Sequence, residues 1–454
     1  MTLLATAPAV AAGTVSQRAH ALLGLIVFLL ICHVIGRIYS GARQIPWRTV
    51  IWGVILAFVF GGMVLYTPAV LEKTQEAIDK LLNFTLDGSK LVFGNLAEKD
   101  GSAVFNGPIK HAGEKPVGHF ADTCAVIAFI VLPTIVFISM LTAMLYRLHV
   151  LGWVVNGLAW IMRRSMGTSG AETLSTAANI FVGQTEAPLI IKPFLATATR
   201  SELMAIMVGG FANIASGVLV VYTDFLKDYV QNAGGHLAAA CFISAPATLV
   251  VSKLILPETE KPVTATGTSA EAVEHDAEQL DANLIDAAAR GTSEGLTLAL
   301  NVGAMLIAFT ALVSLINAVL GGAFELVHIH GVTLQSVLGY VCAPVAWLCG
   351  IPWSDCNKVG SLLGIKTVLN EFVAYKQMSD SYAADANFLA PRSGLLATYA
   401  LCGFANIASV GIQIGGISVM APHRRHELSK LGLIAMVGGA IASCIGACVV
   451  GVLM

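Results

Sequence analysis

Two carboxylates in this chain sit inside stretches that are otherwise apolar. Glu186 lies in GQTEAP at 183–188 and Glu371 in NEFVAY at 370–375. Each is followed by the same heptapeptide, GFANIAS, at 210–216 and again at 403–409. The Asn and Ser of that repeat stand three residues apart and therefore share one face of a helix. Ionised carboxylates only accept hydrogen bonds, whereas amides and hydroxyls both donate and accept, so the set suits the gripping of a polar solute. Each residue also has a plainer reading. Glu beside Pro caps a helix end, Glu371 could be the buried partner of Lys366, and Asn or Ser can bond across a helix interface. Two acids at equivalent places, each ahead of a GFANIAS segment, favour a shared substrate site.

Composition sets the solvent in which these groups must be read. The chain is 56% hydrophobic and 12% charged, with a mean hydropathy of +0.76. A soluble domain needs roughly 25% charged residues, so this composition indicates a membrane protein. The net charge of −2 argues against a nucleic-acid partner. Nine cysteines lie singly in apolar runs without CxxC spacing and read as packing residues. The pair His328 and His330 has no acidic or cysteine companion at ligand spacing. Residues 1–21 lack the pattern of a cleaved signal peptide, so the first apolar run is expected to remain as an anchor.

Eight runs approach the roughly 20 residues needed to cross a bilayer: 22–40, 49–68, 122–146, 201–222, 236–256, 296–320, 393–420 and 431–453. Residues 72–120 begin with Glu72, Lys73, Glu76, Asp79 and Lys80 at helical spacing beside Leu71, Ile78, Leu81 and Leu82, which predicts an interfacial helix and then a polar loop. Residues 257–292 are acidic and read as an exposed connection. Arg37, Arg43, Arg48, Arg147, Arg163, Arg164, Lys253, Arg424, Arg425 and Lys430 mark cytoplasmic ends and put both termini outside. Arg200 then falls inside and Arg392 outside, so the two GFANIAS helices run antiparallel, as in the inverted repeats of secondary transporters.

Just upstream of each repeated helix is a segment too broken to span. At 172–197 Gly183 and Pro188 interrupt it, and at about 354–377 Lys366, Asn370 and Glu371 load it with polar groups. Both are expected to form re-entrant hairpins with tips buried in protein or facing a watery cavity, because lipid cannot satisfy an irregular backbone. A carboxylate at that depth costs several kcal/mol unless compensated, and a polar substrate would compensate it.

GQTEAPL at 183–189 and the pattern GxKxxxNEFVAY at 364–375 resemble the two signatures of the concentrative nucleoside transporters, over a region from about residue 20 to the C-terminus. The resemblance implies an all-α integral membrane protein: eight transmembrane helices plus two re-entrant helical hairpins in inverted repeats, an interfacial helix, a scaffold and a mobile transport (elevator) domain, assembled as a homotrimer. The corresponding division is 1–71 (first two spans), 72–120 (interfacial), 121–164 (third span), 165–256 (first repeat), 257–295 (polar connection), 296–353 (scaffold), 354–430 (second repeat) and 431–454 (last span). By the same resemblance Gln184, Thr185, Glu186 and Val218 would contact the nucleobase. Glu371, Asn406 and Ser409 would hold the ribose hydroxyls, and Phe404 would pack on the sugar or base.

The resemblance also implies a sodium cage from Asn179, the Val182 carbonyl, Asn213 and the Ile214 carbonyl, an oxygen set that suits a hard cation. Asn213 departs from the small hydroxyl residue expected there. Protons are the alternative coupling ion and would require Glu186 or Glu371 to titrate. The expected home is the bacterial inner membrane. An enzyme is disfavoured, since HExxH and a nucleophile beside a base are missing. A passive pore would line several spans with polar rings, whereas the polar residues here concentrate on two hairpins and two helices. Glu371→Gln keeps the side chain's shape and removes its charge; it should cripple nucleoside binding while the assembly stays intact, and near-normal affinity in a binding titration would sink the ribose assignment.

Overall fold

The computed structural model describes residues 13–41, 44–93, 97, 127–265, 281–325 and 332–454. The expected polar stretch up to 120, the acids Glu271, Glu274, Asp276 and Glu278, and His328 with His330 lie outside them. Every regular element among the described residues is helical. Large apolar side chains face outward: Trp153, Ile307, Tyr340 and Val419 are each at least 76% exposed. An exterior of that kind is stable against lipid rather than water.

Helices α1 (Val15–Tyr39) and α2 (Trp47–Leu65) fill the first two expected spans. Helix α3 (Pro68–Phe93) is the expected amphipathic segment, with Leu71, Ile78 and Leu82 buried and Glu72, Lys73, Glu76 and Lys80 exposed. Its Gln75 side chain accepts from the Gly234 amide at 2.8 Å.

The rest of the chain runs twice through one order of elements. The first pass is α4 (Ile127–Arg147), α5 (Val150–Met166), a hairpin of α6 (Gly170–Ala178) with the short α7 (Ala187–Ile190) and α8 (Lys192–Leu195), then α9 (Arg200–Ala212), α10 (Ser216–Leu226) and α11 (Ala233–Ile255). The second is α12 (Leu284–Glu325), α13 (Leu334–Leu348), a hairpin of α14 (Trp353–Val368) and α15 (Glu371–Ala384), then α16 (Pro391–Leu401), α17 (Ile407–Met420) and α18 (Arg425–Leu453). Each expected span has its helix. Two helices, α5 and α13, stand outside the expected set; α5 bends 75° from α4, and α14 bends 115° from α13. At 17 and 15 residues they are too short to read as spans, and α5 packs through Val155, Ala159, Met162 and Met166 at helical spacing.

Both GFANIAS helices are broken, and the breaks touch. The first copy stays helical through Ala212, and the chain then unwinds over 213–215. In the second copy the helix ends at Leu401, about one turn earlier relative to the repeat, and 402–406 are irregular. The Phe404 amide donates to the Asn213 carbonyl at 3.2 Å. Gly403 has φ +146°, and a Cβ there would lie 2.7 Å from the Phe211 carbonyl oxygen and 2.9 Å from that of Ala212. Only glycine permits both the conformation and the approach. Identical sequence thus yields a helix C-cap at Asn213 and an N-cap at Asn406, whose side chain accepts from the Ser409 amide at 2.8 Å.

The connection read as exposed is partly structural. Glu258 accepts from Thr199 Oγ1 at 2.7 Å and lies 3.6 Å from Lys253. Thr264 binds the Gly170 and Ala171 amides at the base of the first hairpin, and α12 begins at Leu284, well before the expected span at 296. Beneath these contacts Lys253 bridges Glu172 at 2.6 Å and Ser201 at 2.7 Å, and Ser169 donates to Glu202 at 2.5 Å. Two helix starts, at Ser169 and Thr199, are therefore locked together through their own capping boxes. From the crossing of the breaks we expect Gly403→Ala to cost roughly 2–4 kcal/mol through backbone strain and overpacking. A lowered thermal midpoint in detergent would show it, with Gly411→Ala, which lies inside α17 and meets no atom within 4 Å, as a control expected to leave the midpoint unchanged or slightly raised.

Candidate functional site

A cavity of 660 Å³ lies where the two hairpin tips meet the two breaks. Gln184, Thr185, Glu186, Val218, Glu371, Phe404, Asn406 and Ser409 all line it. Residues distant in sequence are thus brought together as the motifs implied.

Glu371 is the most constrained of them. It opens α15 immediately after Asn370, whose side chain caps that helix by accepting from the Val373 amide at 2.9 Å. Its Oε1 accepts from the Tyr222 hydroxyl at 3.0 Å and its Oε2 from Asn406 Nδ2 at 3.0 Å. Asn406 is itself fixed by its cap to Ser409. Tyr222 is held by stacking on Tyr375, with ring centroids 4.4 Å apart, and Tyr375 donates to the Thr398 carbonyl at 2.7 Å. The carboxylate is thereby preorganised, with lone pairs left over for donors in the cavity. Lys366 does not pair with Glu371: its Nζ donates to the Ala400 carbonyl at 2.9 Å.

At the other tip, Gln184 Oε1 accepts from Gln413 Nε2 at 3.2 Å, and its Nε2 lies 3.5 Å from Ser409 Oγ. Gln413 also donates to the Met207 carbonyl at 3.1 Å, which fixes the pair to α9. Glu186 Oε2 accepts from the Gly183 amide at 3.1 Å and so closes the turn at the tip. Its carboxylate also faces a recess lined by Val182, Ala215, Arg290 and Glu294.

Asn179, Val182, Asn213 and Ile214 are buried where the first hairpin meets the first break. Asn179 Nδ2, Asn213 Nδ2, Ser175 Oγ and Thr248 Oγ1 are buried without a partner, an unusual concentration of unmet polar groups. Asn213 Oδ1 is placed against Ser244 Oγ, yet that hydroxyl has one proton and the Cys241 carbonyl stands 3.0 Å from it. Giving the proton to Cys241 lets Ser244 accept from Asn213 Nδ2 and turns Asn213 Oδ1 toward the unmet space. In that orientation the amide presents an oxygen of the kind a hard cation takes.

Sequence reasoning missed Tyr222 and Gln413, and it missed the wall supplied by α12, where Glu294, Thr297 and Asn301 line the cavity. Tyr222 was accessible as the residue four after Val218 on one helical face. The α12 groups recur at i, i+3 and i+7 in an apolar helix, which is also a readable signal.

Three family models match the chain: Na+ dependent nucleoside transporter N-terminus over 23–96, Nucleoside recognition over 128–229, and Na+ dependent nucleoside transporter C-terminus over 236–451. The Uncharacterized transporter YutK of Bacillus subtilis (strain 168) is 40% identical over 89% of this chain and 92% of its own length. Sodium/nucleoside cotransporter 1 of Mus musculus is 39% identical over 94% of this chain, which spans 64% of that relative. An inward-facing substrate-bound structure of CNTnw superposes with a TM-score of 0.84 at 36% identity, covering 96% of this chain and 98% of that one. An outward-facing variant of CNTnw gives 0.83 at 35% identity, covering 96% of this chain and 97% of that one.

The chain belongs to the Na+-dependent nucleoside transporter family, a family of membrane transporters rather than enzymes. Because Tyr222 supplies one of the two side-chain bonds that hold Glu371, Tyr222→Phe should weaken nucleoside binding by about tenfold, the worth of one charge-assisted hydrogen bond. Isothermal titration of the purified protein measures it, and unchanged affinity would show that Asn406 alone suffices.

Proposed function

We propose that the protein imports nucleosides of the uridine type by sodium symport. The observation that carries this reading is Glu371, a buried acid held by Tyr222 and Asn406 at the edge of the cavity. A carboxylate so placed suits two neighbouring hydroxyl donors of a ribose, with Asn406 and Ser409 beside it. Gln184, Thr185 and Glu186 across the cavity offer both donors and acceptors to the edge of a base, with Val218 and Phe404 as apolar walls. The coupling ion is a single Na+ held by Asn179, the Val182 carbonyl, Asn213 and the Ile214 carbonyl. The unmet polar atoms around them support that placement.

In this reading the hairpins with α9, α10, α16 and α17 form the mobile part of an elevator within a homotrimer. The protein resides in a bacterial inner membrane, with both termini on the periplasmic side. The repeated order of elements supports an alternating-access mechanism. One monovalent cation moving down about 100 mV gains about 2.3 kcal/mol, and a tenfold gradient adds about 1.4 kcal/mol. Together these sustain accumulation on the order of 500-fold for a neutral nucleoside.

Uridine uptake into proteoliposomes, with a sodium gradient compared against a proton gradient at matched voltage, tests the proposal. Uphill uptake on sodium alone is expected, and Asn213→Leu should abolish the sodium dependence while the protein still folds. Uptake on protons alone would move the coupling to Glu186 or Glu371, downhill equilibration under both would indicate a facilitator, and no uptake would remove the substrate class.

A further inference from the structure

Lys366 is 2% exposed and sits on the first arm of the second hairpin. Among the described residues no carboxylate stands at ion-pair distance from it, and its Nζ donates to the Ala400 carbonyl at 2.9 Å. The ionisable groups around it are Cys349, Cys402, Cys444 and Glu371. An ammonium buried this way needs compensation, and the end of α16 supplies it, since the last turn of a helix presents free carbonyls and the negative end of the macrodipole. Two other carbonyls of that turn are already engaged. Thr398 accepts from Tyr375 at 2.7 Å and Tyr399 from the Cys402 amide at 3.1 Å. Lys366 adds a third at the point where α16 stops a turn early, just ahead of the irregular segment from which Phe404 and Asn406 line the cavity.

The first hairpin offers nothing of the kind to the end of α9. Its arm α6 contains no Lys, Arg or His. In their place stand Ser175 and Asn179, which with Asn213 and Thr248 contribute the buried polar atoms that lack partners. One helix end is therefore closed by a cation that belongs to the chain. The other is lined by neutral groups that leave room for a free one.

We propose that Lys366 is a tethered cation that does at the second helix break what the coupling ion does at the first, and that it limits the carrier to one free cation per nucleoside. The inference rests on the sodium reading above. Its consequence is that removing the charge should damage the nucleoside site and create a demand for a second ion, although Lys366 does not line the cavity.

The test is uridine binding and electrogenic uptake by the purified full-length protein, with Lys366→Met, which keeps length without charge, and Lys366→Ala, which also opens a slot. Wild type should move one charge per uridine with a sodium slope of one. Lys366→Met should bind uridine at least tenfold more weakly at saturating sodium. Lys366→Ala should recover affinity at high sodium with a slope rising toward two. Two charges per uridine in wild type overturn the proposal even if neither variant folds, and so does wild-type affinity with a slope of one in Lys366→Met. Weakening in both variants that no sodium concentration relieves assigns Lys366 to packing and also overturns it. Absence of any sodium-dependent uptake by wild type would instead defeat the symport reading. In that event amide exchange of ligand-free protein at 401–406 still reads the tether: faster exchange in Lys366→Met supports it, and unchanged exchange overturns it.

Discussion

Two strands of irregular backbone cross in the apolar middle of this molecule, and nearly everything else serves to make that crossing tolerable. Unwound chain exposes amides and carbonyls that lipid cannot satisfy. Here Phe404 bonds to Asn213, Ser443 donates to the Cys402 carbonyl at 2.7 Å, and Gly403 lets the two chains approach within contact of Phe211 and Ala212. The second hairpin brings further partners, Lys366 and Tyr375, to the carbonyls at the end of α16. Binding groups appear where they do because the crossing concentrates helix caps and polar side chains around one cavity.

The same heptapeptide adopts two backbones because its neighbours differ. Helix α9 runs to Ala212 and offers its carbonyl end to the second copy. The second copy yields: it ends α16 at Leu401, turns through Gly403 and starts α17 at Ile407. Phe211 is fully buried as a result, while Phe404 reaches the cavity. Repetition in sequence has given asymmetry in structure, with the first copy buried among unmet polar atoms and the second lining the cavity.

Much of this was legible beforehand. Apolar runs of the right length locate the spans, and the polar interruptions around Gly183 and Glu371 locate the hairpins, because a bilayer leaves few alternatives for such segments. The eight residues expected at the cavity meet there. What escaped was short or depended on three-dimensional partners. Helices α5 and α13 fall below spanning length, and the glutamine pair of Gln184 and Gln413 joins elements 229 residues apart. The docking of Glu258 and Thr264 hides in a segment whose composition looks fully solvated, because charge alone does not reveal that Lys253 lies beneath it.

That docking limits how the first hairpin can open. Its root is riveted: Ser169, Glu172, Glu202, Lys253 and Thr264 bind the beginnings of α6 and α9 to the end of α11. A hinge at the root would have to strip buried charges of their partners. Flexing is left to the far arm, where α7 and α8 are single turns of four residues each, separated by Ile191 and opened by Pro188 and Pro193. The hairpin is therefore built as a cantilever, stiff at the wall and compliant near its tip, and the side of the cavity formed by Gln184, Thr185 and Glu186 can yield while the carboxylate clamp opposite holds its shape.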